Sequence, residues 1–224
     1  MARHIWRLAI LLGVIYWLSA LARSGVAFLP LAALPKWLVV AWKGTFSACL
    51  ALSVFSARNG QPSQLIAAAL AISAVADVLL VTVGVVASGL AFAAAHCFAI
   101  MAYARERDTG VSTGRLIMAL MIPVIAVALS VFALRHGGLN IGIGFFPVIS
   151  GTMAAMAVIS RYPLRLNGLG AAIFVASDVL FFFDVGVLQN SGTFGWLTWA
   201  CYAGGYILVA RGAIDYQSSS ERSG

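Results

Sequence analysis

Four apolar stretches of this chain each hold one ionisable residue: Lys43 in WLVVAWKGTFSACLALSVF, Asp77 in LIAAALAISAVADVLLVTV, His96 in GLAFAAAHCFAIMAY and Asp178 in GLGAAIFVASDVLFFF. Deep in a bilayer such a side chain costs about 2.5–3.5 kcal/mol even on translocon insertion scales, so it normally faces a bundle interior or a wet cavity. Two carboxyls, an amine and an imidazole are groups that hold, give and take protons. The residue types therefore point to acid–base chemistry or a proton relay inside a membrane.

The composition agrees. Of 224 residues, 62% are hydrophobic and 9% charged, with a mean hydropathy of +0.99. A soluble domain carries about 25% charged residues, so this chain would have little polar surface to show water. It reads as an integral membrane protein. The net charge of +7 does not imply nucleic acid, because the basic residues are scattered and fall at the ends of apolar runs. Cys49, Cys97 and Cys201 lie inside apolar runs without metal-ligand or disulfide spacing and read as small buried hydrophobes. The sequence has no phosphate-cradling glycine loop, no zinc cluster and no Gly-x-Ser-x-Gly elbow. No metal ligand set and no obligatory protein partner is inferred.

These residues must be positioned by helices. A span needs about 20 apolar residues, and eight segments qualify: 5–22, 37–55, 65–83, 87–104, 115–134, 141–159, 168–188 and 193–211. The expected fold is all-α, a single integral-membrane domain over 1–224. Eight spans put Arg3, Arg7, Arg58, Arg105, Arg107, Arg115, Arg161, Arg165, Arg211 and Arg222 on one side. Only Arg23, Lys36 and Arg135 fall on the other. That bias places both termini in the cytoplasm and makes the loop arginines topology signals. Segment 23–36 is apolar but carries Arg23, Pro30, Pro35 and Lys36, which make it a poor span. Arg3 and Arg7 before an apolar run ending in Ala20-Leu21-Ala22 also fit a cleavable signal peptide, whose loss would leave seven spans. Ala76-Asp77-Val78-Leu79-Leu80 parallels Ser177-Asp178-Val179-Leu180-Phe181, which would suit a parallel four-plus-four duplication.

At a rise of about 1.5 Å per residue, all four ionisable residues fall in the central-to-outer half of the bilayer. Residues three and four apart share a helix face. Ser73 therefore lies on the face of Asp77, and Ser47 on that of Lys43. Tyr103 sits two turns below His96, and Trp199, Tyr202 and Tyr206 form one stripe. Asp184 belongs near the mouth of any such site. Plainer readings remain open for each group. The two aspartates would serve as helix–helix hydrogen bonds, Lys43 as a counter-ion or a snorkelling side chain, His96 as a donor across helices, and the tyrosines as packing. Gly142, Gly144 and Gly151 read as close-packing positions.

At these residues the sequence resembles the YhhN-like lysoplasmalogenases, a family of polytopic membrane proteins. The likeness rests on Lys43 in span two, Ser73 with Asp77 in span three, and Gly89, Leu90, Phe92 and His96 in span four. Phe174, Ser177 and Asp178 complete it in span seven. The chain departs from the pattern with Gly44 where proline is usual, Ala76 before Asp77 where glycine is common, Phe181 for leucine, and Gly205 where glutamine is expected.

The resemblance implies a bacterial inner-membrane hydrolase that cleaves the vinyl ether bond of a lysoplasmalogen, with no cofactor, on a lysophospholipid held in the bilayer. On that expectation Asp77, Asp178 and His96 are catalytic, while Lys43, Ser73, Ser177, Tyr202 and Tyr206 contact substrate. A hydrolase of another lysolipid and a proton-coupled transporter remain the alternatives. An intramembrane aspartyl protease is disfavoured, because Ala76 and Val78 supply no flexible glycine beside Asp77.

Overall fold

The computed structural model describes residues 2–25, 35–57, 61–135, 145–189 and 191–223. Among them eight helices follow in order: α1 (Ala2–Arg23), α2 (Lys36–Ser56), α3 (Gln61–Thr82), α4 (Val85–Arg105), α5 (Thr113–Leu134), α6 (Phe146–Val158), α7 (Leu169–Val185) and α8 (Gly195–Ser223). A π-helical turn, Leu164–Gly168, leads into α7. Backbone in hydrocarbon must satisfy its own hydrogen bonds, and apolar stretches of this length meet that demand as helices. Where α3 turns sharply into α4, Gly84 takes φ +124, a conformation that a side chain would resist.

Six of the helical segments are long and apolar enough to cross a membrane, namely α1 to α5 and α7 with its leading turn. That makes the chain a multi-pass membrane protein. The other two differ from expectation. α6 has 13 residues because it begins at Phe146, with Pro147 in its first turn; residues 141–144, with Gly142 and Gly144, lie outside the described residues. α8 carries Trp, Tyr and Gly residues that dilute its apolarity, and it continues to Ser223, beyond the expected end at 211. Most of segment 23–36, at residues 26–34, also lies outside the described residues.

The helices close into a circuit. α1 packs on α2, α2 on α3, α3 on α4, α4 on α6, α6 on α5, α5 on α7, α7 on α8, and α8 returns to α1 while also touching α2 and α3. The suggested duplication is only partly echoed here. The α4–α6 contact matches α8–α2, but the α8–α1 contact has no counterpart between α4 and α5. α5 lies at the periphery and exposes Leu116, Ile117, Leu120, Val124 and Ile125, as a lipid-facing helix does. Cys49 is buried as expected, whereas Cys97 is exposed on the apolar surface and Cys201 is half-buried.

Close packing depends on missing side chains, as is common in membrane bundles. A Cβ at Gly205 would lie 2.7 Å from the Gly170 carbonyl oxygen and 3.0 Å from Phe174 N, and one at Gly151 would lie 2.6 Å from Pro123 Cα. The backbone of α7 thus fills the space that a glutamine at position 205 would need. At the opposite end from the site described below, the loop after α4 zips onto the loop after α6. Arg161 N donates to the Glu106 carbonyl at 2.7 Å, and Asp108 N donates to that of Ile159 at 3.0 Å. Arg115 donates to the Val158 and Ser160 carbonyls, capping the end of α6. Arg115 is therefore a structural ligand as well as a topology signal. Tyr216 stacks on Tyr162 and donates to Glu106, and burial together with that carboxylate pushes its phenol up to about 12.

Gly205→Leu should destabilise the protein by about 1–3 kcal/mol, the usual scale of overpacking. Gly204→Ala should be neutral, since a Cβ there meets nothing within 4 Å; thermal unfolding in detergent compares the two. A fluorescent protein fused after residue 224 should fold and fluoresce, and an alkaline phosphatase fused there should stay inactive, if the carboxyl terminus is cytoplasmic.

Candidate functional site

One cavity of about 570 Å³ occupies one end of the bundle, within the roughly 300–1,000 Å³ typical of small-molecule sites. α1, α3 and α7 line it with their carboxyl-terminal parts, and α2, α4, α6 and α8 with their amino-terminal parts. In an alternating bundle those ends share one side, the side expected to face outward. Val86 and Leu90 of α4 and Phe145 before α6 line the cavity and are also 57%, 68% and 64% exposed. The cavity therefore reaches the bundle's lipid-facing surface between α4 and α6.

Asp77, Asp178, Lys43, Ser177 and Tyr202 all line this space. Sequence spacing had put Lys43, Asp77, His96 and Asp178 at one depth, and the helix circuit puts all of these but His96 around one void. Asp77 is buried, and its Oδ2 accepts from Ser47 Oγ at 2.8 Å and from Tyr202 OH at 2.6 Å. Ser47 and Tyr202 lie 3.1 Å apart, so the three groups form a triangle joining α2, α3 and α8. Asp178, half-buried on the cavity wall, has an Oδ2 with no partner at full hydrogen-bond geometry, and the Ser150 hydroxyl of α6 is the group that acts on it. The two carboxyls thus occupy unlike surroundings.

Lys43 sits with its ammonium 5.4 Å from the ring centroids of both Tyr16 and Trp199, and it acts on Asp77 through space. Trp199 Nε1 donates to the Gly13 carbonyl at 3.0 Å, tying α8 to α1. Asp184 also lines the cavity, at the expected mouth, and accepts from Gly192 N at 2.9 Å.

Three expected members are not in the cavity wall. His96 lies behind it, between Phe146 and Phe174 at ring-centroid distances of 5.4 and 5.2 Å, with Nε2 unpartnered. It borders a separate void of about 20 Å³ together with Tyr103 and Tyr206. Tyr206 is buried there, stacked on Phe174 at 4.5 Å and hydrogen-bonded to Ser73 at 2.6 Å. Ser73 also donates to the Ala69 carbonyl. The Ser177 hydroxyl faces the cavity but is spent on the Phe174 carbonyl at 2.6 Å. Helix depth was readable, but a Phe174 ring between two polar layers was not.

The sequence reading missed two members of the site. Ser47 was assigned to the face of Lys43, yet it bonds Asp77 of the neighbouring helix. Arg23, read as a topology signal, lines the cavity 5.2 Å from the Tyr16 centroid. Its spacing of seven residues from Tyr16, two helical turns on one face, was the available signal.

The arrangement supplies two carboxyls from different helices on the wall of one apolar chamber, with a fixed hydroxyl pair on Asp77. Such a pair suits proton donation to one side of a bound molecule and water activation on the other. Ser47→Ala and Tyr202→Phe should each cost about 0.6 kcal/mol and at most about 1.7, the range for hydrogen bonds in membrane bundles. Because both act on one oxygen, the double variant should depart from additivity by at least about 0.5 kcal/mol; a double-mutant cycle of unfolding in detergent measures it.

A sequence model of the YhhN family matches residues 38–213, more than three quarters of the chain. No curated protein and no solved structure matches it.

Proposed function

The chain belongs to the YhhN family, and from that premise we propose that it hydrolyses the vinyl ether bond of lysoplasmalogens, releasing a fatty aldehyde and a glycerophospho-head group. The observation that carries this reading is the pair Asp77 and Asp178, held by different helices on one lipid-accessible cavity whose lining is mostly apolar. A single-chain lipid can reach that cavity from the bilayer between α4 and α6 with its chain still in hydrocarbon.

The chemistry follows from the substrate. A vinyl ether resists nucleophiles until its β-carbon is protonated, which makes the carbon beside oxygen an oxocarbenium centre. Water adds there, a carboxylate takes the water's proton, and the resulting hemiacetal collapses to aldehyde and alcohol. In the collapse the proton taken from water passes from that carboxyl to the departing glycerol oxygen, and the hemiacetal's hydroxyl proton restores the acid. Asp77, already an acceptor for two hydroxyls, suits the role of carboxylate, because an ionised carboxyl only accepts. Asp178, whose Oδ2 has no partner at full hydrogen-bond geometry, suits the role of acid with its O–H free to reach substrate carbon. Lys43 and Tyr202 lie beside Asp77 and would orient substrate and water. His96 touches neither carboxyl, and we give it a positioning role through Phe174, whose ring lies between it and the cavity. Ser73 and Tyr206 would support Tyr202 from behind. The protein would act in the bacterial inner membrane, its cavity toward the outer side.

The purified protein given an alkenyl lysophospholipid should release fatty aldehyde. Asp77→Asn and Asp178→Asn should each lose at least about 10²-fold in rate, the lower range for general acid–base groups. In D₂O the aldehyde should carry one deuterium at carbon 2, the site of protonation. Fatty-acid release from an acyl lysophospholipid alone would reassign the protein to another lysolipid hydrolase. No turnover of either lipid by folded protein would overturn the hydrolase reading in favour of proton-coupled transport.

A further inference from the structure

Two cations of the cavity converge on one ring. The Arg23 guanidinium lies 5.2 Å and the Lys43 ammonium 5.4 Å from the Tyr16 centroid, and Lys43 is equally close to Trp199. All four residues line the cavity. Among the described residues neither cation has a carboxylate within 4.0 Å, the ion pairs being Arg115–Asp108 and Arg211–Asp215. The nearby acids have other partners: Asp77 accepts from Ser47 and Tyr202, and Asp184 accepts from Gly192 N.

Like charges gathered around one ring repel, and attraction to its π face offsets only part of that. An anion bound between them turns the repulsion into attraction. A guanidinium offers two parallel donors to a phosphate, and an ammonium offers a compact charge. Arg23 ends α1 and Lys43 lies two turns into α2, so the pair reaches from the end of the bundle into the wall of the cavity. Tyr16 and Trp199 close the site from within, and Trp199 is itself anchored to Gly13.

We propose that Arg23 and Lys43 form a clamp for a phosphate ester at the mouth of the cavity, with Tyr16 as the shared aromatic plate. As a head-group site for the lipid to be cleaved, the clamp rests on the hydrolase reading; as a binding site it stands apart from catalysis. Arg23 falls outside residues 38–213 matched by the family.

The test uses ligands that cannot be cleaved, so loss of turnover and loss of binding are told apart. A saturated 1-O-alkyl lysophosphatidylethanolamine and the matching 1-O-alkylglycerol, which lacks phosphate, are titrated calorimetrically against the full-length protein in detergent. The wild type should prefer the phosphate-bearing lipid by about tenfold or more, the worth of one charge-assisted contact. Arg23→Gln should erase that preference while leaving alkylglycerol binding unchanged, and Lys43→Gln should erase it as well. Arg23→Lys should keep part of the preference and so control for folding. A preference that survives Arg23→Gln, or a wild type that binds both lipids equally, overturns the clamp. Competition by soluble glycerophosphoethanolamine or inorganic phosphate would support the clamp with a free phosphate as its ligand. Failure of both to compete, with the lipid preference intact, assigns it to a lipid head group.

Discussion

A carboxyl group surrounded by hydrocarbon must find its hydrogen-bond donors within the protein, and at Asp77 that requirement gathers three helices. Asp77 stands on α3, and its donors come from Ser47 on α2 and Tyr202 on α8. Once α8 is drawn in to supply a phenol, its remaining contacts follow. Trp199 reaches the α1 backbone, and Gly205 lets α7 approach to backbone contact. α7 in turn brings Asp178 to the wall of the same cavity. The polar triangle thus does two jobs, satisfying a buried acid and setting the spacing of the walls around it. In a medium without competing water, such a network is worth having only if every member is partnered.

Phe174 divides the polar interior into two layers. Its ring stacks on Tyr206, meets His96 edge-on, and lies 5.4 Å from Tyr202 and 6.5 Å from Phe92. On one side are the cavity and its carboxyls. On the other are His96, Tyr103 and the buried Asn167, which donates to the Val209 carbonyl and to Tyr103. The apolar ring separates the groups that line the cavity from a second polar layer buried behind it.

Much of this was legible in the sequence for a simple reason: the bilayer imposes a length and an apolarity on each element. Each of the eight expected segments contains a helix among the described residues, six of them long and apolar enough to cross a membrane, and the acids and Lys43 within them were readable because charge there is so costly. Common depth followed from helix rise. What stayed hidden depends on which helices are neighbours. Ser47 shares a face with Lys43 along α2, yet its partner is on α3, and no spacing within one helix carries that information. His96 matches its neighbours in depth but is turned behind Phe174. Gly205, a departure from the family pattern as read from sequence, is explained only once α7 is seen against it. Arg23 looked like a boundary marker because its proximity to Lys43 is made by the α1–α2 contact, not by sequence distance.

The confinement of the cavity to one end of the bundle has a consequence for traffic. If the protein is the lipid hydrolase proposed above, a chamber formed by one set of helix ends would sample lipid from a single leaflet, and lipid in the other leaflet would first have to cross the bilayer. The two products would then part company by solubility: the long-chain aldehyde returns sideways into the membrane, while the water-soluble head group leaves through the mouth. The protein would thereby act as a one-sided sink, and the asymmetry of the membrane would set its supply of substrate.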